Sequence, residues 1–142
     1  MVPQLEQLLE KYPADLKVVF KNFPIRSHKY AVKAAAAALA AGRQGKFWEF
    51  HDALFRNYNR LNDQKIIDIS KELGLDQTKF AEHRQNPAET ARIRQDYQEG
   101  LRLGVRGTPT VFINGKKIKN RGMTSMEAEI EAALKKASAK GS

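Results

Sequence analysis

The chain has 142 residues, of which 25 are Lys or Arg, 16 are Asp or Glu and none is Cys, for a net charge of +9. That length suits one domain with one sizeable core, and 42% apolar with 29% charged residues is globular composition rather than disorder. Without cysteine there are no disulfides, no thiolate chemistry, no iron–sulfur cluster and no Cys-ligated zinc, although the redox compartment stays open.

Leu5, Leu8, Leu9 and Tyr12 recur at i, i+3, i+4 and i+7, the spacing of one apolar helix face. Pro3 suits a first helical turn, no good N-cap precedes it, and Pro13 closes the segment. Residues 16–24, LKVVFKNFP, form a β-branched and aromatic run closed by proline and predict a strand. From 27 to 104 the pattern is helical throughout. Ser27 is a candidate N-cap for a helix from Tyr30 to Ala41, which Gly42 stops. After Gly45, the spacing predicts that Phe47, Phe50, Leu54 and Phe55 bury together with Trp48 on a flank. Asn62 or Asp63 caps a helix carrying Ile66, Ile67, Ile69 and Leu73, ended by Gly74. Asp76 caps a short helix with Phe80, and Pro87 opens another that Gly104 stops. The last part changes character. Thr110 to Ile113 predicts a strand, Asn114-Gly115 a tight hairpin turn, and Lys116 to Ile118 the return. Thr124 with Glu127 has capping-box spacing for a final helix through Met126, Ile130 and Leu134.

The charge sits late. Residues 105–142 hold eight basic and three acidic side chains, around Lys116, Lys117, Lys119 and Arg121 and again at Lys135, Lys136 and Lys140. A basic hairpin invites a nucleic-acid reading, but no aromatic platform accompanies it, and a solvated surface is the simpler expectation. No stretch approaches the ~18 apolar residues of a membrane span. Met1 to Glu6 lacks the basic start and apolar core of a signal peptide, so the chain as written is expected to remain in the cytoplasm. His28 is expected at a helix start. His51 should bond a backbone group or a carboxylate such as Asp52, and His83 should be exposed. None of the three has metal-ligand spacing or a nucleophile beside it. The acidic residues form no glycosidase-like pair, and Gly104 and Gly107 precede a strand rather than follow one, unlike a phosphate loop. No catalytic residue, metal or cofactor is therefore expected.

The informative stretch is Gly104-Val105-Arg106-Gly107-Thr108-Pro109-Thr110, followed by Phe112-Ile113-Asn114-Gly115. A proline entering a strand cannot donate to a sheet ladder, so it belongs at a strand start. With the strand-like 17–24, and with Gln44-Gly45-Lys46-Phe47-Trp48 and Phe50-His51-Asp52 in the helical block, this order resembles the DsbA-like thiol-disulfide oxidoreductases. The resemblance runs from about residue 2 to residue 136. It implies an α/β thioredoxin-like fold, with residues 1–26 and 105–142 as an incomplete thioredoxin-like part and 27–104 as an inserted all-helical subdomain. It implies that Pro109 is a cis proline and that Thr108 turns its backbone to the active site. Gly107, Thr108, Pro109 and Arg106 would then hold an extended or unfolded polypeptide substrate. The family is usually extracytoplasmic or periplasmic.

The departure is equally specific. The family places a first strand and a Cys-x-x-Cys motif ahead of the first helix, and this chain carries neither. Family chemistry runs through a low-pKa thiolate and a mixed disulfide, so a truncated or redox-inactive form is expected. By the family pattern, the missing strand is also the shared neighbour of 18–23 and 110–113. Unpaired buried backbone is costly. Three outcomes are open: direct pairing of those segments into a three-stranded sheet, a homodimer that completes the sheet, or addition of a separate peptide as a strand. A non-catalytic peptide-binding module using the loop edge is the alternative function.

Overall fold

In the computed structural model, residues 2–25 and 29–141 are described. Ser27 and His28 lie outside that set, and with them the expected cap and the first histidine. The described chain divides into two compact units, one of residues 1–20 with 107–142, the other of residues 21–106.

The helical unit is built on an alanine helix. Helices α2 (Ala31–Gly42), α3 (Phe47–Arg56), α4 (Asp63–Glu72), α5 (Gln77–Arg84) and α6 (Pro87–Arg102) follow one another, with a 3-10 turn at Tyr58–Arg60. Ala37, Ala40 and Ala41 are fully buried. With no side chain beyond Cβ on that face, neighbouring helices approach closely, and Phe50, Ile66, Ile69 and Phe80 fill the core around it. The caps are local. The side chains of Asn62, Asp76 and Asn86 accept hydrogen bonds from the backbone N–H groups of Lys65, Lys79 and Ala88. Between α2 and α6, the Arg43 guanidinium meets the buried Glu89 carboxylate at 2.6 and 2.7 Å. A charge taken out of water in this way needs such a partner.

The smaller unit packs α1 (Val2–Lys11) and α7 (Met123–Gly141) with a hairpin of β1 (Phe112–Ile113) and β2 (Lys116–Lys117). Leu8, Tyr12, Ile118, Met126 and Ile130 form its core. Phe112 lies opposite Lys117 and Ile113 opposite Lys116. Asn114 and Gly115 take φ of 47° and 82°, the paired left-handed conformations that a tight hairpin turn demands. Lys11 pairs with Glu127 at 3.1 Å, and the Tyr12 hydroxyl donates to Glu131 at 2.7 Å, tying α1 to α7.

Five expectations are corrected among the described residues. Residues 16–25 form no strand, and the sheet has two strands rather than three. A strand needs a ladder, and the described residues offer 16–25 none. Instead the Asn22 backbone N–H and side-chain amide both donate to the buried Asp96 carboxylate, at 3.0 and 2.9 Å, and Phe23 stacks on Tyr97. The strand expected from Thr110 begins only at Phe112. Phe55 is 66% exposed and Trp48 39% exposed. On α3 the buried face runs through Phe50, His51, Ala53 and Leu54, and Phe55 falls at its edge, one turn beyond His51, where its ring meets the imidazole and solvent. The Thr124–Glu127 capping box does not form, because α7 already begins at Met123 and Glu127 is drawn to Lys11. His83 is half-buried rather than exposed.

Candidate functional site

The approach to the loop is set by α6. Its end is followed by Gly104 at φ 81°, a left-handed position that glycine reaches without strain. The Gly104 N–H then donates to the Leu101 carbonyl and the Val105 N–H to the Gly100 carbonyl. Val105 is buried, and a Cβ on Gly100 would stand 2.8 Å from the Phe23 ring, so α6, Phe23 and Val105 close tightly. Arg106, the last residue of the helical unit, is exposed.

Gly107 to Thr110 belong to the smaller unit. The Thr108–Pro109 peptide bond is cis. Thr108 and Pro109 are exposed, while Gly107 and Thr110 are half-buried. Two carbonyls of the loop are used by the chain itself. The Thr110 hydroxyl donates to the Gly107 oxygen at 2.7 Å, and the Arg121 guanidinium donates to the Pro109 oxygen. Past the loop, the Ile118 N–H bonds the Val111 oxygen at 3.0 Å and joins it to the hairpin. Pro109 has no N–H to give. Among the described residues, the Thr108 N–H and C=O take no hydrogen-bond partner. They are the exposed main-chain donor and acceptor of the loop; the Gly107 N–H and the Thr110 N–H and C=O, on half-buried residues, likewise take no partner among the described residues.

Arg121 was legible only as one basic residue among several. What places it is an Asx-type turn: the Asn120 side chain accepts from the Gly122 N–H at 2.8 Å, and the Gln4 amide donates to the Arg121 carbonyl at 3.3 Å. Lys116 is bound to Glu129 at 3.1 Å.

Among the described residues, the remaining singled-out side chains form no second site. His51 is buried, lies 3.3 Å from Asp52, and packs edge-on to Trp48 and against Phe55. Among the described residues, no group of three or more His, Cys, Asp or Glu side chains is placed to hold a metal. No helix among them is long and apolar enough to cross a membrane.

Comparison with known proteins shows the family. The family model for the DSBA-like thioredoxin domain matches residues 1–134, and the chain belongs to that family. Its fold is that of a DsbA-like thioredoxin domain with an inserted helical region, here with a reduced, two-stranded sheet. It superimposes on a thioredoxin-like oxidoreductase from Silicibacter pomeroyi DSS-3 with a TM-score of 0.78 and 27% identity, over 95% of this chain and 77% of that one. It also matches the thiol-disulfide exchange protein alpha-DsbA2 from Wolbachia pipientis in fold, with a TM-score of 0.81 at 24% identity, over 92% and 72% of the two chains. Curated relatives carry another name. The Na(+)/H(+) antiporter NhaA 3 of Salinispora tropica is 36% identical over 133 residues, which is 93% of this chain and 20% of that protein. The Na(+)/H(+) antiporter NhaA of Herminiimonas arsenicoxydans is 30% identical over 136 residues, 96% of this chain and 21% of that protein. The chain thus spans about a fifth of the length of these relatives.

Proposed function

We propose that this chain keeps the polypeptide-holding part of a DsbA-like oxidoreductase and carries no redox chemistry of its own. One observation carries the reading: a cysteine-free sequence folds around a cis-proline loop whose Thr108 N–H and C=O remain open. Gly107, Thr108 and Pro109, with Arg106 beside them, hold an extended or unfolded polypeptide by main-chain pairing. With no thiol there is no thiolate to attack a disulfide and no mixed disulfide to resolve. The purified chain should therefore show no turnover in insulin reduction or in peptide dithiol oxidation. Turnover above the buffer rate overturns the reading. Reading the DNA upstream of Met1 for an in-frame strand and Cys-x-x-Cys separates a member whose redox segment lies outside these 142 residues from one that has lost it.

The division into a thioredoxin-like part (1–26 with 105–142) and a helical insert (27–104) is proposed by family resemblance. By contact, the seams fall between Phe20 and Lys21 and between Arg106 and Gly107. The antiporter matches, over 133 and 136 residues of this chain, fall largely within residues 1–134 that the family model covers. The shared part is thus read as DsbA-like, and ion transport is not carried over. A homodimer completing the sheet beside residues 16–23 and 110–113 belongs to the same proposal. The basic-hairpin reading as a nucleic-acid surface gains nothing, since Lys116 is already paired with Glu129.

A further inference from the structure

Arg121 differs from the other cations near the loop. Its guanidinium lies on the Pro109 carbonyl, one residue from the open Thr108 backbone, and the residue is exposed. A guanidinium has five N–H donors in a planar fork, and the Pro109 contact occupies a single terminal nitrogen. Among the described residues, no carboxylate lies within ion-pair distance of it, nor of Arg106 or Lys119, whereas Lys11 and Lys116 each have one; the contact with the Pro109 carbonyl is what sets Arg121 apart. Its position is not left to a free side chain. The Asn120–Gly122 turn and the Gln4 amide fix the backbone on either side of it.

We propose that Arg121 is a specificity-determining residue of the loop, and that the extended peptide held there carries an Asp or Glu next to the residue that pairs with Thr108. A planar guanidinium binds a carboxylate in a two-pronged, charge-assisted pair. An extended peptide advances about 3.3 Å per residue. An acidic side chain one or two places from the Thr108 pairing position is therefore within reach of the fork. A chain of net charge +9 draws such a peptide towards it. This inference deepens the polypeptide-holding reading and rests on it.

The test uses the whole 142-residue chain, labelled with nitrogen-15, and two end-blocked octapeptides. One is built of Val, Thr and Ser, and the other has two of those Ser replaced by Glu. Amide shifts at Gly107, Thr108 and Thr110 report occupancy of the loop. The Glu peptide should bind about three- to tenfold tighter at low salt, with the advantage shrinking as salt rises. Arg121→Gln removes the charge and the fork, and it should bring the ratio of the two affinities to about one. Arg121→Lys should restore part of it. Thermal unfolding of each variant checks that the fold is kept. If neither peptide moves the loop amides, the polypeptide-holding reading fails. If both bind equally to the native chain, that reading stands and the acid preference is overturned. Preference that survives Arg121→Gln overturns the role of Arg121. A single-stranded oligonucleotide that shifts the same amides as strongly as the Glu peptide overturns a carboxylate site in favour of unselective anion binding.

Discussion

Asp96 shows how one side chain meets a backbone donor that no strand meets among the described residues. In a sheet, the Asn22 N–H would bond a neighbouring carbonyl. Here it bonds a carboxylate presented by α6, and the Asn22 amide bonds the same oxygen. Lys21 stands 4.0 Å from the other oxygen of that carboxylate. Hydrogen bonds to an ionised group are worth more than neutral ones, and leaving a buried donor unmet costs the full desolvation of that group. Asp96→Ala should therefore lower unfolding stability by about 3 kcal/mol. The check is a denaturant midpoint at unchanged slope, and a loss under about 1 kcal/mol would show that water satisfies Asn22 instead. Nothing in the sequence around Asp96 marks this role. It sits one residue before Tyr97 in an ordinary helical pattern, and its partner is 74 residues away in the chain.

At the scale of elements, helices with local punctuation were readable and the contacts between them were not. Asn62, Asp76 and Pro87 mark their helix starts within a residue, because a cap bonds the backbone two or three positions on. The pairing of α1 with α7 is different in kind. Tyr12 was legible only as the last member of an apolar face, yet its hydroxyl donates to Glu131. That hydrogen bond raises the Tyr12 pKa above its usual value near 10, with burial and the Glu131 charge adding to it. Lys11 is likewise raised, chiefly by its bond to Glu127. A raised pKa means that the folded state holds the proton more tightly than the unfolded one. The stabilisation is whole below the unfolded value and lost as pH climbs through the folded one. The melting temperature should thus be insensitive to these two groups at neutral pH and should fall above about pH 10. Tyr12→Phe should flatten part of that alkaline decline, which a series of melts from pH 8 to 11 would measure. An identical decline in the variant would remove Tyr12 from the account.

Across the whole molecule, protection should be uneven. Ala37, Ala40 and Ala41 are fully buried in the helical core, while Val18 and Val19 have no backbone hydrogen bond among the described residues and Val19 is 62% exposed. Their amides should exchange with solvent orders of magnitude faster than those of α2. Protection of Val18 and Val19 that deepens with protein concentration would instead show strand pairing with a second copy. The sequence by itself determined the helical block, the caps at Asn62 and Asp76, the Asn114–Gly115 hairpin and the family. Each of these depends on residue type and on spacing of a few positions, which the chain carries locally. Only the tertiary structure decided that residues 16–25 make no strand, that Phe55 faces outward, and that Arg121 lies on the Pro109 carbonyl. A strand exists only with a partner to complete its ladder, and an exposed guanidinium is placed by contacts made between distant stretches of chain.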